Sequence, residues 1–196
     1  MRTLNIAVSG THGSGKTTLL HEVVATLKKE NVNVVLVPEA ARLSPFLIAK
    51  HRSRESQLHI LLSHCEMEVR HDLLEADVCL SDRTPLDILA YSRLFGVFNN
   101  EDSDAVGVFC RWYMQRYTAV FRTSSVFDLA ITRDGLRPLN SGLQNDASRV
   151  IDELLREYYP DYKKLPQDYE AARDSVVAYI KTTLAQQPAA LGKSGG

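Results

Sequence analysis

The sequence predicts an α/β fold in which a doubly wound parallel sheet of about five strands carries helices on both faces. Short, uninterrupted apolar runs, typical of strands buried on both faces, alternate with longer segments whose apolar residues repeat at helical spacing. A glycine-rich turn joins the first apolar run to the first helical segment. With 196 residues, the chain is long enough for one domain to bury its own core.

The first half of the chain alternates predicted strands and helices. Apolar runs predict strands at 4–8, 34–37 and 77–81. Leucines and valines at helical spacing predict a helix that begins near residue 17. A second apolar helical face, from about Arg54 to Glu75, has the length that a crossover between two parallel strands requires.

The second half continues the pattern, and Thr84-Pro85 is expected to open its first helix, which runs to Leu94. An apolar stripe rich in aromatic residues predicts a long helix from Asp104 to Phe121. The remaining predicted elements are a strand at 125–132, a helix at 146–158, a weak strand at 162–165 and a helix at 168–186. We expect one domain over residues 1–187 and a flexible tail at 188–196.

The turn after the first strand matches the phosphate-binding loop pattern over eight residues, Gly10-Thr11-His12-Gly13-Ser14-Gly15-Lys16-Thr17. Its glycines let successive backbone N–H groups point at one anion. Lys16 is expected to contact the outer phosphates of ATP, and the Thr17 hydroxyl to bind Mg²⁺. The nucleotide-binding segment therefore extends from Gly10 through Thr18, with His12 expected to be a packing or solvent-facing residue that does no chemistry. A glycine- and serine-rich turn without a phosphate is disfavoured by the strand-loop-helix context.

Charged residues follow the predicted strands, at the sheet edge where ligands of such folds bind. Asp82, followed by Arg83, could hold Mg²⁺ through water or take a proton from an attacking hydroxyl, whereas its structural alternative is to cap a turn. Glu39 could bind a substrate hydroxyl or act as the base, and it could equally be a solvated loop carboxylate paired with Arg42. The sequence leaves open whether Glu39 or Asp82 is the base.

A polar, glycine-containing segment at about 133–145 is the candidate lid. Its Arg133 and Arg137 could close over a triphosphate and neutralise charge during phosphoryl transfer, although surface arginines are common on loops. Asp87 stands three residues after Thr84, which is the spacing of a capping box, so a capping role and a chemical role are equally supported.

Composition narrows the classes of function. The net charge of −1 argues against broad electrostatic binding to nucleic acid. The three cysteines are far apart and form no Cys-x-x-Cys pair, which predicts buried free thiols in a reducing compartment and no zinc or redox site. The sequence contains no signal-type segment and no apolar run of about 18 residues, so we expect a cytoplasmic protein without a membrane partner.

The chain resembles the P-loop kinase-like AAA domains related to the ribosylnicotinamide kinase portion of bacterial NAD-biosynthesis regulators. The segments that carry the resemblance are the phosphate loop, Pro38-Glu39-Ala40-Ala41-Arg42, Asp82-Arg83 before a helix reaching Tyr91, Asp134-Gly135-Leu136-Arg137, and Asp168-Tyr169 with Arg173. The resemblance implies a three-layer P-loop NTPase fold and transfer of the γ-phosphate of ATP to a hydroxyl. It further implies that Lys16 and Thr17 contact the phosphates and magnesium, that Asp82 lies near the acceptor, and that Arg137 belongs to the lid.

The leading hypothesis is therefore an ATP- and Mg²⁺-dependent kinase that acts on a small nucleoside-like or nucleotide metabolite. One alternative is a nucleotide-dependent ATPase or regulatory switch without an acceptor, and another is a kinase acting on a nucleotide within DNA or RNA, which the net charge disfavours. An Asn/Thr-Lys-x-Asp segment, which reads guanine, does not occur, so adenine is expected. The sequence leaves open the acceptor and whether the chain forms a homodimer.

Overall fold

A computed structural model describes residues 3–49, 52–123 and 141–187, and it confirms the predicted α/β class. Its sheet has five strands, all parallel, in the order β2-β3-β1-β4-β5. The strands are β1 (Leu4–Ser9), β2 (Val34–Val37), β3 (Val78–Asp82), β4 (Ala119–Arg122) and β5 (Lys163–Lys164). The helices are α1 (Lys16–Lys29), α2 (Ala40–Leu43), α3 (Pro45–Ile48), α4 (Arg54–His71), α5 (Pro85–Leu94), α6 (Asn100–Met114), α7 (Ser141–Tyr158) and α8 (Tyr169–Gln186), and a 3₁₀ turn spans Asp72–Leu74.

The sheet lies between two helical layers. Leu4, Ile6 and Val8 of β1 alternate to one face, where they pack with buried leucines and valines of α1 and α8. Ala7 and, from β4, Val120 point to the opposite face, which α4, α5, α6 and α7 cover. Each face is buried, which explains why the strands read as continuous apolar runs rather than as alternating patterns.

The central strand β1 brings the carboxyl ends of β3 and β4 together at one edge of the sheet. It pairs with β3 on one side, where Val8 lies opposite Asp82, and with β4 on the other, where Ser9 lies opposite Arg122. After β1, the chain forms β2 and β3 on one side of β1 in the sheet and then β4 and β5 on its other side. A crevice at the carboxyl ends of the strands is expected where the connections diverge in this way.

The long helix predicted from Asp104 to Phe121 was wrong at its carboxyl end. Helix α6 ends at Met114, and the last part of the predicted helix is strand β4. Val120 and Phe121 follow Tyr117 at spacings of three and four, so they continue a helical stripe in the sequence. All four residues of β4 are buried, and a short strand buried on both faces has no alternating pattern to distinguish it. The strand predicted at 125–132 lies outside the described residues.

Other boundaries shift by a few residues. Helix α7 begins at Ser141 rather than Asp146, so the described part of the predicted lid, residues 141–145, is helical. The crossover helix α4 ends at His71, before the 3₁₀ turn. Cys65, Cys79 and Cys110 are buried and free, as predicted, and burial raises the pKa of each thiol to about 12. Within the described ranges, no helix has the length and apolar character that crossing a membrane requires.

Candidate nucleotide and acceptor site

The phosphate loop connects β1 to the first turn of α1. Gly13 and Gly15 have positive φ angles of 68° and 83°, a region that residues with a Cβ rarely adopt. Gly15 directly precedes α1, whose first turn contains no acidic residue. The first-turn backbone N–H groups of α1, which have no partner within the helix, and the positive end of the helix dipole face the loop, an arrangement that favours a bound anion.

Gly10 is required for a different reason, which is close packing. A Cβ at this position would lie 2.0 Å from Thr123 Oγ1, just after β4. The Thr123 hydroxyl itself donates to the Ser9 carbonyl oxygen at 3.3 Å, so it is held in place. Gly10 therefore lets the end of β4 approach the beginning of the loop.

Gly10→Ala is expected to lower the free energy of unfolding by about 1–3 kcal/mol, because the new methyl group overpacks this contact. The double variant G10A/T123A removes the clashing hydroxyl and should recover part of the loss. Urea denaturation of both single variants and the double variant completes the cycle. Strictly additive effects would contradict the close contact.

Lys16 folds back over the loop. Its Nζ donates to the Thr11 carbonyl oxygen at 2.5 Å and to Ser14 Oγ at 3.1 Å, and the side chain is buried. Burial lowers the pKa of Lys16 to about 7, and the neighbouring Arg83 guanidinium adds to this shift, although nearby carboxylates oppose it. A bound phosphate group would add negative charge beside Lys16 Nζ and would therefore favour the protonated, charged form of the side chain.

Asp82 and Thr17 contact each other across the loop, as their proposed shared role in metal binding requires. Thr17 Oγ1 donates to Asp82 Oδ2 at 2.5 Å, and Asp82 is buried as the last residue of β3. The other carboxylate oxygen, Asp82 Oδ1, is buried and has no hydrogen-bond partner in the described part of the chain. A hydroxyl and a carboxylate are the oxygen ligands that Mg²⁺ takes beside phosphates, so this pair fits the ion. The described ranges contain no cluster of three or more His, Cys, Asp or Glu that would form a cage made of protein alone.

Arg83 follows Asp82 with a strained backbone and a side chain that is buried and hydrogen-bonded. Its φ angle is 91°, in a region that non-glycine residues rarely adopt. Its Nη1 donates to the Gly10 carbonyl oxygen at 2.9 Å, and its Nε donates to Glu39 Oε1 at 2.7 Å. Burial alone would lower the pKa of Arg83, but Glu39 and the other anionic neighbours raise it overall. Arg83 thus joins the ends of β2, β3 and β1.

Glu39 is an ion-pair anchor and is not a solvated loop carboxylate. The residue is 4% exposed, and its Oε2 accepts from Arg42 Nε at 3.0 Å while Oε1 accepts from Arg83. The predicted pairing with Arg42 is confirmed. With a guanidinium on each oxygen, this carboxylate is poorly suited to accept a proton from a substrate.

Asp87 caps its helix, as the spacing from Thr84 predicted. Its Oδ2 accepts from the Thr84 backbone N–H and hydroxyl at 2.8 and 2.7 Å. The sequence could not show its second contact, in which Oδ1 accepts from Ser9 Oγ and the Gly10 N–H at 3.0 and 2.9 Å. This fully buried carboxylate therefore fixes the start of the phosphate loop to the start of α5.

Asp87→Ala is expected to lower the free energy of unfolding by about 3 kcal/mol or more, because four buried donors lose their acceptor. Asp104→Ala, at an exposed position on α6, is the matched control and should stay within about 0.5 kcal/mol of the parent. Chemical denaturation measures both. Similar losses in the two variants would contradict an anchoring role for Asp87.

His12 is buried in the loop rather than solvent-facing. Its ring Nδ1 lies 2.8 Å from the Tyr91 hydroxyl, which also accepts from the His12 backbone N–H at 3.0 Å. The His12 carbonyl oxygen accepts from Gln144 Nε2 of α7 at 2.9 Å. His12 is therefore a packing residue that connects the loop to α5 and α7, whereas Thr18 at the loop's far end is exposed.

Arg122 is a buried residue of the site region that sequence reasoning missed. At the end of β4, its Nε donates to Asp152 at 2.8 Å and its Nη2 to Ser148 Oγ at 2.7 Å, both on α7. A Cβ on Gly10 would lie 3.3 Å from Arg122 Nη1. Arg122 therefore holds α7 beside the phosphate loop. The only sequence signal was a charged residue next to an apolar run that had been assigned to a helix.

A buried polar network lies beneath the end of β3. Glu68 Oε1 of α4 accepts from Ser81 Oγ at 2.5 Å and from the Tyr117 hydroxyl at 2.7 Å. Burial alone would raise the pKa of Glu68, but His64 and these hydrogen bonds lower it overall. The network fixes Ser81, the residue before Asp82, against α4 and the segment that leads into β4.

An open pocket, with about 730 Å³ of empty space that is partly continuous with solvent, lies beside the loop. We call it the acceptor pocket. Its polar lining includes His12, Glu39 and Arg83 on the side of the phosphate loop and Arg52, Ser56 and Gln57 at the start of α4. Its apolar and aromatic lining consists of Ala41, Leu47, Ile60, Ile88, Tyr91, Phe95 and Leu143.

Asp168 and Arg173, which belong to the last segment of the resemblance, do not line the acceptor pocket. Arg133 and Arg137 lie outside the described residues. Asp168 caps α8 by accepting from the Ala171 N–H at 2.8 Å, and Arg173 pairs with Glu170 at 2.7 Å on the surface of α8. Asp168 and Arg173 therefore have structural roles at the start of α8, which belongs to the helical layer on one face of the sheet.

The profile of the AAA domain family matches residues 5–173 of this chain. The matched region extends from β1 into α8 and includes the phosphate loop, the Asp82-Arg83 pair and the acceptor pocket. No curated protein matches the sequence.

Two crystal structures of NadR protein have a similar fold. The structure in complex with NAD and AMP-PNP is 14% identical, with a TM-score of 0.71, and the alignment covers 97% of this chain and 52% of that one. The structure in complex with NR is 15% identical, with a TM-score of 0.72, and the alignment covers 97% of this chain and 54% of that one. This chain spans about half the length of both proteins. At these identities the likeness shows the fold.

Proposed function

We propose that this chain, which belongs to the AAA domain family, transfers the γ-phosphate of ATP to a small nucleoside-like or nucleotide acceptor. The observation that carries the proposal is the convergence of two half-sites at one sheet edge. The phosphate loop with Lys16, Thr17 and Asp82 forms the first, and the acceptor pocket, which shares His12 with the loop, forms the second. A switch that only hydrolyses ATP has no need of the second half-site.

On the donor side, the loop residues Gly10 through Thr18 would hold the phosphates through backbone N–H groups. Lys16 would exchange its contacts with Thr11 and Ser14 for phosphate oxygens. Thr17 and Asp82 would hold Mg²⁺, which neutralises charge on the phosphates when bound. Transfer then depends mainly on positioning and on these fixed charges.

On the acceptor side, Asp82 is the better candidate for the general base. Its Oδ1 has no hydrogen-bond partner within the described ranges, whereas both oxygens of Glu39 are occupied by guanidinium groups. We therefore assign Glu39 and Arg83 to shaping the boundary between the half-sites. Arg133 and Arg137 remain our candidates for lid residues that close over the transferring phosphate.

The comparison structures support a nucleotide and a nucleoside-like ligand, because NadR protein was crystallised with NAD and AMP-PNP and with NR. We propose that residues 1–187 form one kinase-like domain and that residues 188–196 follow it as a tail. The small, partly apolar acceptor pocket favours a metabolite over a polymeric acceptor.

ATP binding is expected to be linked to proton uptake by Lys16. Its pKa of about 7 in the ligand-free protein means that the group is mostly neutral above that pH, and phosphate oxygens favour the charged form. Calorimetry in buffers of different ionisation enthalpy should therefore detect uptake of about one proton near pH 8.5 and almost none near pH 6. Uptake that is independent of pH would contradict this role.

Acceptor-dependent release of ADP tests the proposed function. The protein is incubated with ATP, Mg²⁺ and, in turn, nucleosides, nucleotides and oligonucleotides. We expect at least one small acceptor to raise ADP release well above the rate with ATP alone. Release that no acceptor changes would support an ATPase instead, and release stimulated only by oligonucleotides would support a polymer kinase.

A further inference from the structure

The acceptor pocket contains two aromatic rings that already have a cation on a face. Tyr91 and Phe95 lie with their ring centroids 5.9 Å apart and their planes tilted by 39°. The Arg52 guanidinium carbon is 4.5 Å from the centroid of Phe95, and that of Arg83 is 5.2 Å from the centroid of Tyr91. The ring faces that could attract a cationic ligand are thus partly occupied by the protein's own arginines.

The two arginines differ in how their charges are balanced. Arg83 is buried and forms ion pairs with Glu39 at 2.7 Å and Asp87 at 3.9 Å. Arg52 is exposed, and no carboxylate of the described residues forms an ion pair with it. Arg52 therefore presents to the pocket a positive charge and a planar fork of donors that matches a carboxylate or a phosphate.

We propose that the acceptor is a flat-ring compound with an anionic substituent, a carboxylate or a phosphate ester, that pairs with Arg52. This inference rests on the proposed function, because it names the class of molecule that receives the phosphate. Leu47, Ile60 and Ile88 supply the apolar surface for the ring. A ring with a fixed positive charge, such as the pyridinium of ribosylnicotinamide, is disfavoured unless a carboxylate offsets that charge.

Two matched pairs of compounds test the inference. The first pair is ribosylnicotinamide and the riboside of nicotinic acid, which differ only in a carboxamide or a carboxylate on the same ring. The second pair is adenosine and its 3′-monophosphate, in which the phosphate leaves the 5′-hydroxyl available. Binding of each compound is measured by calorimetry with AMP-PNP and Mg²⁺ present, and phosphorylation is measured separately with ATP.

We expect the anionic member of at least one pair to bind about tenfold or more tightly, as one charge-assisted bidentate contact allows. The pair that shows the preference identifies the substituent. Arg52→Gln should remove the preference, raise KM for the anionic compound about tenfold and leave kcat within about twofold. Arg54→Gln is the matched control. It removes the same charge two residues after Arg52, where Arg54 forms an exposed ion pair with Asp102, and it should keep the preference.

Equal affinities within both pairs, no binding of any of the four compounds, or a preference that survives Arg52→Gln would each overturn the inference. Its failure can be distinguished from failure of the proposed function. If the anionic compound binds through Arg52 but is not phosphorylated, the pocket assignment stands and the kinase activity does not. If only the members without an anionic substituent are phosphorylated, the kinase activity is supported and the anionic acceptor is contradicted.

Discussion

Replacing Lys16 with methionine is expected to lower ATP-dependent phosphoryl transfer by about 10²- to 10³-fold while leaving the fold intact. The substitution keeps an unbranched side chain only one atom shorter but removes the charge that would contact the outer phosphates. Steady-state rates at saturating acceptor measure the loss. Lys28→Met, at an exposed position near the other end of α1, is the matched control and should retain the parent rate.

The same variant should change how stability depends on pH. The pKa of Lys16 falls from 10.5 to about 7 on folding, so between these values the unfolded chain binds more protons than the folded one. Stability contributed by this group therefore rises with pH across that window and is lowest below it. Lys16→Met should remove this rise of stability with pH, as measured by thermal denaturation of the ligand-free protein. Separately, turnover retained by the variant would contradict the site assignment.

Asp82→Asn is expected to lower kcat by about 10³-fold and to weaken the dependence of the rate on Mg²⁺ concentration. Asparagine keeps the shape and can still accept from the Thr17 hydroxyl, but it loses the negative charge on the buried Oδ1. The measurement is kcat as a function of Mg²⁺ concentration at saturating ATP.

Asp77→Asn is the control for Asp82→Asn, because Asp77 directly precedes the same strand at its opposite end, where it accepts from the Asn33 N–H. It should leave both kcat and the Mg²⁺ response unchanged. A parent-like Mg²⁺ response in Asp82→Asn would exclude Asp82 as a metal ligand, and a parent-like kcat would exclude it as the base.

The sequence predicted the phosphate-loop segment and its flanking elements because these features are local. The motif from Gly10 to Thr17 occupies consecutive positions, and the flanking apolar patterns identify β1 and α1. The capping box between Thr84 and Asp87 is equally local and was confirmed. Each of these features is determined by backbone conformation within a few residues, which residue type and spacing report directly.

The contacts that assemble the site join distant residues, and spacing could not reveal them. Arg83 pairs with Glu39 from 44 positions away, and Asp87 accepts from the Gly10 N–H from 77 positions away. Arg122 was missed because β4 was predicted as the end of a helix, so its position at the edge of the sheet was hidden. The acceptor pocket depends on the same long-range packing, which is why its Arg52 had no assigned role.

Transfer of label from [γ-³²P]ATP tests the central claim most directly. The protein is incubated with labelled ATP, Mg²⁺ and the acceptors that bind in calorimetry, and the products are separated as inorganic phosphate and phosphorylated acceptor. We predict that most of the released label appears covalently attached to a small acceptor and that Lys16→Met lowers this transfer by about 10²- to 10³-fold. Label that appears only as inorganic phosphate, with every acceptor unmodified, would contradict the assignment of a phosphotransferase.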